Sequence, residues 1–86
     1  MRTLMKFEAD WCGPCQQVKP VVEQVLNENQ DLALQVVDID AAENESLVAQ
    51  FGIRAVPTFI LTENNQEIAR TTGAMSKPAL HAFVNA

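Results

Sequence analysis

The sequence predicts an α/β domain spanning residues 1–86, with the element order β-α-β-α-β-β-α and a four-stranded mixed sheet flanked by helices. A β-α-β unit opens the chain, because two apolar, strand-like segments flank a stretch whose valines recur at helical spacing. A polar turn at Asn64 and Asn65 separates two further strands, which is typical of a hairpin. A chain of this length forms one modest core, and no repeat or linker divides it.

The β-α-β unit covers residues 3–39. Residues 3–9 are predicted to form a strand, and residues 12–29 a helix that Pro20 interrupts. Its core-facing side chains share helical spacing: Val18, Val21, Val22, Val25 and Leu26. Residues 32–39 form a second, β-branched strand. Because a helix connects the two strands, we expect them to be parallel with a right-handed crossover.

The middle of the chain adds a short helix and the hairpin. Residues 44–51 are predicted to be helical, ending at Gly52 as a C-terminal stop. Its inward side chains are Leu47, Val48 and Phe51. Residues 58–62 and 67–72 are the hairpin strands, and we expect the hairpin to run antiparallel to the first two strands.

A third helix closes the sequence. Ser76 is a suitable N-cap, and Pro78 lies in the first turn, where its missing N–H costs nothing. The apolar face comprises Ala79, Leu80, Phe83 and Val84.

Charge and hydropathy limit the partners. Six basic and eleven acidic residues give a net charge of −5 without a basic cluster, which argues against nucleic-acid binding. Residues 1–8 lack the apolar run of a signal peptide, and no segment approaches membrane-spanning length. We therefore expect a cytoplasmic monomer without a membrane partner, in a compartment where paired cysteines are more often catalytic than structural.

Both cysteines lie within one five-residue stretch, Trp11-Cys12-Gly13-Pro14-Cys15. At the start of a helix, side chains at i and i+3 share a face, so the two sulfurs come within bonding range. Pro14 suits the first turn, and Gly13 keeps the backbone permissive. The helix N-terminus favours a thiolate at Cys12. We predict a partly open Cys12 nucleophile, shielded on one side by Trp11, and Cys15 as its resolving partner.

Two other roles for this pair are less favoured. A structural disulfide closing a four-residue loop would contribute only about 2 kcal/mol, so it would constrain little. A closed zinc site needs four ligands, whereas Cys12, Cys15 and the distant His81 are too few in one chain. Dithiol chemistry without a metal is therefore favoured.

Three motifs resemble the thioredoxin family. Residues 9–15, with Pro20 five positions later, are similar to its active-site segment. Residues 51–58 and 73–77 are similar to its later landmarks, in the same order. The family's usual first strand and helix are missing, so the chain resembles short thioredoxin-like proteins of glutaredoxin size. The resemblance implies that residues 32–39 lie at a sheet edge.

The resemblance implies a cis peptide at Pro57, packed against the cysteines. In similar proteins the backbone before this proline pairs with the substrate chain. We predict that the residues nearest the sulfurs and in this groove bind substrate: Trp11, Gly13, Pro14, Val56, Pro57, Gly73 and Ala74. Outside this set, Asp10 and Arg54 are interpreted as surface charges, Met75 as packing, and His81 as non-catalytic.

The sequence departs from the family pattern at two positions of the first strand. The family has a buried carboxylate where this chain has Lys6, and an aromatic residue where it has Glu8. The family's carboxylate is usually partnered by a lysine on the next strand, and this chain has Val36 at that position. Lys6 and Glu8 share a strand face, so they either pair under the active site and tune it, or both reach solvent.

The resemblance and the motif together predict a thiol-disulfide oxidoreductase that reduces protein disulfides through a Cys12–Cys15 dithiol. It would bind no cofactor or metal, and would receive electrons from NADPH through a thioredoxin reductase. A glutathione-dependent glutaredoxin and a thioredoxin-fold binding subunit that does not use its thiols stay open as alternatives.

Overall fold

A computed structural model describes all 86 residues. The elements are β1 (Arg2–Glu8), α1 (Gly13–Glu28), β2 (Ala33–Asp38), α2 (Glu45–Phe51), β3 (Thr58–Glu63), β4 (Gln66–Thr72) and α3 (Lys77–Val84), with a single 3₁₀ turn, Ala42–Asn44, before α2. The predicted order and fold class are confirmed, with element ends shifted by no more than one residue. None of the helices is long and apolar enough to cross a membrane.

The four strands form one mixed sheet in the order β2-β1-β3-β4. β1 and β2 are parallel, as predicted, and β2 lies at an edge. β3 is antiparallel to β1, and β4 is antiparallel to β3. β4 therefore runs in the same direction as β1, so the prediction that the hairpin opposes the first two strands holds only for β3.

Strand β1 is the centre of the core. Its residues Leu4, Met5, Lys6 and Phe7 are all buried, so both of its faces are covered. The larger buried cluster lies under α1 and α3, with Leu4, Val18, Val22, Val25, Phe59, Leu80 and Val84. The smaller one lies under α2, with Met5, Phe7, Val37 and Ile60. This arrangement places the C-terminal half of β1 beneath the start of α1.

Helix α3 follows its predicted boundaries but not its full predicted face. Ser76 caps it by accepting a hydrogen bond from the Ala79 N–H at 3.3 Å. Leu80 and Val84 are buried, whereas Ala79 is exposed, so its assignment to the apolar face was wrong. Ala79 is in the first turn, where its backbone rather than its side chain makes the contact. Lys77, the first residue of α3, forms an ion pair with Glu28, the last residue of α1. The Lys77 ammonium lowers the pKa of the Glu28 carboxyl.

Arg2 joins the two ends of the chain. Its guanidinium donates to the carbonyl oxygens of Val84 and Ala86, both at 3.0 Å. It also lies 3.5 Å from the carboxylate of Glu63, at the hairpin end of β3. The beginning of β1, the end of α3 and the hairpin thus meet at one end of the sheet.

The predicted turn residues have the backbone conformations that their types favour. Gly52 ends α2 with φ 64°, in the left-handed region. Asn64 and Asn65 have φ values of 53° and 68°, which asparagine tolerates better than most residues.

We expect Gly52→Ala to lower the free energy of unfolding by about 1 kcal/mol, because an alanine is strained at positive φ. A Cβ at Gly52 would meet no atom within 4 Å, so the cost is purely conformational. Gly13→Ala is the matched control, since a Cβ there is also unobstructed and its φ is not positive. Denaturant unfolding measures both, and an equal loss in the two variants would contradict this explanation.

Candidate active site

The two cysteines lie at the N-terminus of α1 and form a disulfide with their Cα atoms 5.2 Å apart. Cys12 is the N-cap residue, and the backbone N–H of Cys15 donates to its Sγ at 3.1 Å. Pro14 occupies the first turn, as its fixed φ favours. The helix start therefore directs an N–H group at the sulfur of Cys12, where a negative charge would be stabilised.

The sulfurs are more enclosed than the sequence predicted. Cys12 is only 4% exposed and Cys15 is fully buried, so a partly open Cys12 is wrong for this disulfide form. Ile39 and Val56, from two separate loops, pack against the small buried cluster that the cysteines form with Ala9. The burial of the two sulfurs depends on these loops, and neither loop is part of the five-residue cysteine motif. Cys12 is nevertheless the more accessible of the two.

Trp11 lies next to the cysteines with 69% of its surface exposed. Its indole N–H donates to a carboxylate oxygen of Asp40 at 2.8 Å. Gly13 and Pro14 are exposed as well. The surface around Cys12 therefore presents an aromatic ring in a fixed orientation.

The loop before β3 is brought to the cysteines by Val56. The Val56–Pro57 peptide bond is cis, as the resemblance implied. The carbonyl oxygen of Pro57 accepts a hydrogen bond from the Gly73 N–H at 2.8 Å, which holds the loop after β4 alongside. Ala74 follows on the surface. Three segments distant in sequence, residues 11–15, 56–57 and 73–74, thus border one surface.

Lys6 and Glu8 form a buried ion pair beneath this surface. The Lys6 Nζ lies 2.7 Å from Glu8 Oε1, and the two side chains are 2% and 12% exposed. Pairing was one of the two predicted outcomes and is confirmed; the alternative, in which both side chains reach solvent, is wrong. Lys6 Nζ also donates to the backbone carbonyl oxygen of Cys15 at 3.0 Å.

Two contacts of the segment after β2 were not predicted: the hydrogen bond that Asp40 accepts from Trp11 and the packing of Ile39. Both residues immediately follow β2. Because β1 and β2 are parallel, their C-terminal ends reach the same edge of the sheet, and Ile39 N–H donates to Glu8 O at 2.9 Å. The acidic residues that end the second predicted strand were the available signal.

The remaining candidates are two exposed charges, a packing residue and a histidine of α3. Arg54 and Asp10 are exposed, and Met75 packs on the larger core cluster. His81 is next to Asn85, with the Nδ1 of the imidazole 3.5 Å from the amide nitrogen. No three His, Cys, Asp or Glu side chains converge in a way that could hold a metal ion.

The Thioredoxin family profile matches residues 1–86, which is the whole chain. The chain belongs to the thioredoxin family. A thioredoxin from Haemophilus influenzae is 37% identical over 82 residues, covering 95% of this chain and 76% of that protein. Thioredoxin 1 of Synechococcus elongatus is 38% identical over 77 residues, covering 90% and 71%.

Solved thioredoxin structures have the same fold. A mutant thioredoxin from Halobacterium salinarum superposes with a TM-score of 0.86 at 38% identity, covering 98% of this chain and 72% of that one. Fasciola hepatica thioredoxin gives a TM-score of 0.88 at 31% identity, covering 98% and 78%. Thioredoxins are disulfide oxidoreductases, and the vicinal Cys12 and Cys15 give this member the CxxC pair of a thiol-disulfide oxidoreductase.

Proposed function

We propose that this protein reduces disulfides of other proteins, with Cys12 as the nucleophile and Cys15 as the resolving thiol. We further propose that a thioredoxin reductase returns it to the dithiol form at the expense of NADPH, in the cytoplasm. The observation that carries the proposal is the position of Cys12 as the N-cap of α1, with an N–H group directed at its sulfur.

This position separates the roles of the two cysteines. A thiolate at Cys12 is stabilised by the helix N-terminus and by the Cys15 N–H, so it is the better attacking group at neutral pH. Cys15 lies one turn further in and is fully buried, so a substrate disulfide cannot reach it directly. It can reach only a sulfur already bonded to Cys12.

The reaction then has two exchange steps. The Cys12 thiolate attacks one substrate sulfur, and the other substrate sulfur leaves as a thiolate, giving a mixed disulfide. Cys15 loses its proton and attacks Cys12 Sγ, which forms the Cys12–Cys15 disulfide and releases the second substrate thiolate. Two electrons pass to the substrate. The leaving thiolates take up protons, including the one that Cys15 releases.

Substrate binding is proposed at the surface bordered by Val56, Pro57, Gly73 and Ala74. Val56 packs on the cluster formed by Ala9 and the cysteines, and its loop is tied to Gly73 through the Pro57 carbonyl. An extended substrate segment could pair with backbone here, which is a mode of recognition that tolerates many side chains. The exposed faces of Trp11, Gly13 and Pro14 complete this surface.

Reduction of insulin disulfides tests the function and the electron source together. We expect turnover with NADPH and a thioredoxin reductase, and little with glutathione, NADPH and glutathione reductase. The control is a variant with both cysteines replaced by serine, which should be inactive in both assays. Turnover in the glutathione assay but not in the thioredoxin reductase assay would instead indicate a glutaredoxin. Absence of turnover in both assays, with insulin still bound by the double variant, would favour a binding subunit.

A further inference from the structure

We propose that Lys6 is a positioning residue for Cys15 that makes this dithiol more oxidising, and that Glu8 moderates its effect. The proposal rests on the proposed dithiol function and adds a determinant of its redox equilibrium. It arises from the Lys6–Glu8 pair, a buried charged pair in direct contact with the active-site helix.

The first observation is that the lysine contacts the resolving cysteine itself. Lys6 Nζ is buried on β1 and donates to the Cys15 carbonyl oxygen at 3.0 Å. That carbonyl belongs to the first turn of α1, so the ammonium both holds the turn in place and adds a positive charge next to the backbone of Cys15. A buried charge that little solvent screens acts strongly on ionisable groups close to it.

The second observation is that only the positive member of the ion pair makes a hydrogen bond to the active-site turn. The Glu8 Oε1 lies 2.7 Å from Lys6 Nζ, and Glu8 is the more exposed partner, with 12% of its side chain exposed against 2% for Lys6. The Glu8 carboxylate makes no hydrogen bond to either cysteine. Lys6, in contrast, donates a hydrogen bond to the Cys15 carbonyl oxygen. The positive member of the pair is therefore the one applied to the active site.

The third observation concerns the surroundings. A groove of about 300 Å³ borders the pair, and the other charged residues that line it, Lys19 and Glu23 of α1, are exposed. On β2, Val36 is directly opposite Lys6, and Asp38 is opposite Glu8. Asp10 and Asp40 flank the site and are exposed. Solvent screens the exposed groups, and Asp38 is only half-buried. Lys6 is the one charged side chain among the buried residues, so its charge is the least screened near the active-site turn.

The consequence follows from thiol-disulfide equilibrium. Two glutathione thiols and the protein disulfide give the protein dithiol and one glutathione disulfide, so two electrons move to the protein. A positive charge stabilises the thiolate of the reduced protein but not the uncharged disulfide. Stabilising the reduced form raises the reduction potential, and a tenfold change in the equilibrium constant corresponds to about 30 mV.

The test is equilibration of four variants with glutathione, together with thiolate absorbance titration. We expect Lys6→Met to shift the equilibrium toward disulfide by about tenfold and to raise the pKa of Cys12, with Lys6→Asp shifting both further. Glu8→Gln should shift both in the opposite direction. Lys19→Met, which removes an exposed lysine from the same groove, should change neither.

A double variant, Lys6→Met with Glu8→Gln, keeps the test valid where a single variant leaves an unpaired buried charge and unfolds. It removes both charges together. Its equilibrium constant with glutathione and its Cys12 pKa should lie between those of the two single variants. Shifts of the same sign in Lys6→Met and Glu8→Gln, or none, would overturn the proposal, because a purely structural role does not predict opposite signs. Insulin reduction by the unmodified protein separates this failure from failure of the proposed function.

Discussion

Replacing Cys15 by serine is expected to convert the protein into a trap that accumulates mixed disulfides with its substrates. Cys12 would still attack, since its position at the helix N-terminus is unchanged. The second exchange would be lost, because serine cannot displace the substrate sulfur. Turnover of insulin should fall by at least about a thousandfold, as expected when a member of a nucleophilic pair is removed. Non-reducing gel electrophoresis and mass spectrometry of the trapped adducts measure this.

The matched control is Cys12→Ser, which makes the same chemical change at the neighbouring position. It should be equally inactive but should trap no substrate, because Cys15 is fully buried. Equal trapping by both variants would show that the assignment of nucleophile and resolving thiol is wrong.

The second large effect is expected in the core, where Leu80→Ala should lower the free energy of unfolding by about 2–5 kcal/mol. Leu80 is the fully buried residue by which α3 joins the cluster beneath α1. In a chain of this size such a loss lowers the melting temperature by at least about 10 °C. Thermal and denaturant unfolding followed by circular dichroism would measure the change.

Leu34→Ala removes the same atoms from edge strand β2, where the leucine is 39% exposed. Its cost should be well under half that of Leu80→Ala, because less apolar surface returns to water and no closed cavity forms. Similar losses in both variants would mean that burial at α3 does not hold the domain together.

Local patterns were sufficient to predict the elements of this fold. The helical spacing of the valines in α1, Gly52 after α2, and the asparagines of the hairpin each act through short-range geometry. The same holds for the approach of the two cysteines, which depends only on a helix starting beneath them. The side-chain period of a strand likewise placed Lys6 and Glu8 together.

Contacts between separate elements were not predictable in this way. The burial of Cys12 depends on Ile39 and Val56, which come from two loops set by the sheet register. The hydrogen bond from Lys6 to the Cys15 carbonyl depends on the depth at which α1 packs over β1. A period of two residues gives the face of a strand, but it does not give the distance to the helix above it.

The contacts of Arg2 also show where this domain can be joined to another protein or to a surface. Both chain ends and the Asn64–Asn65 turn lie together at the end of the sheet opposite the disulfide, since Arg2 is paired with Glu63 while α1 begins beyond Glu8. A linker joining residue 86 to residue 1, with new ends opened at the turn, would keep every strand in place. Fusion partners, surface tethers and labels placed at any of these points would lie at the end of the sheet away from the active site.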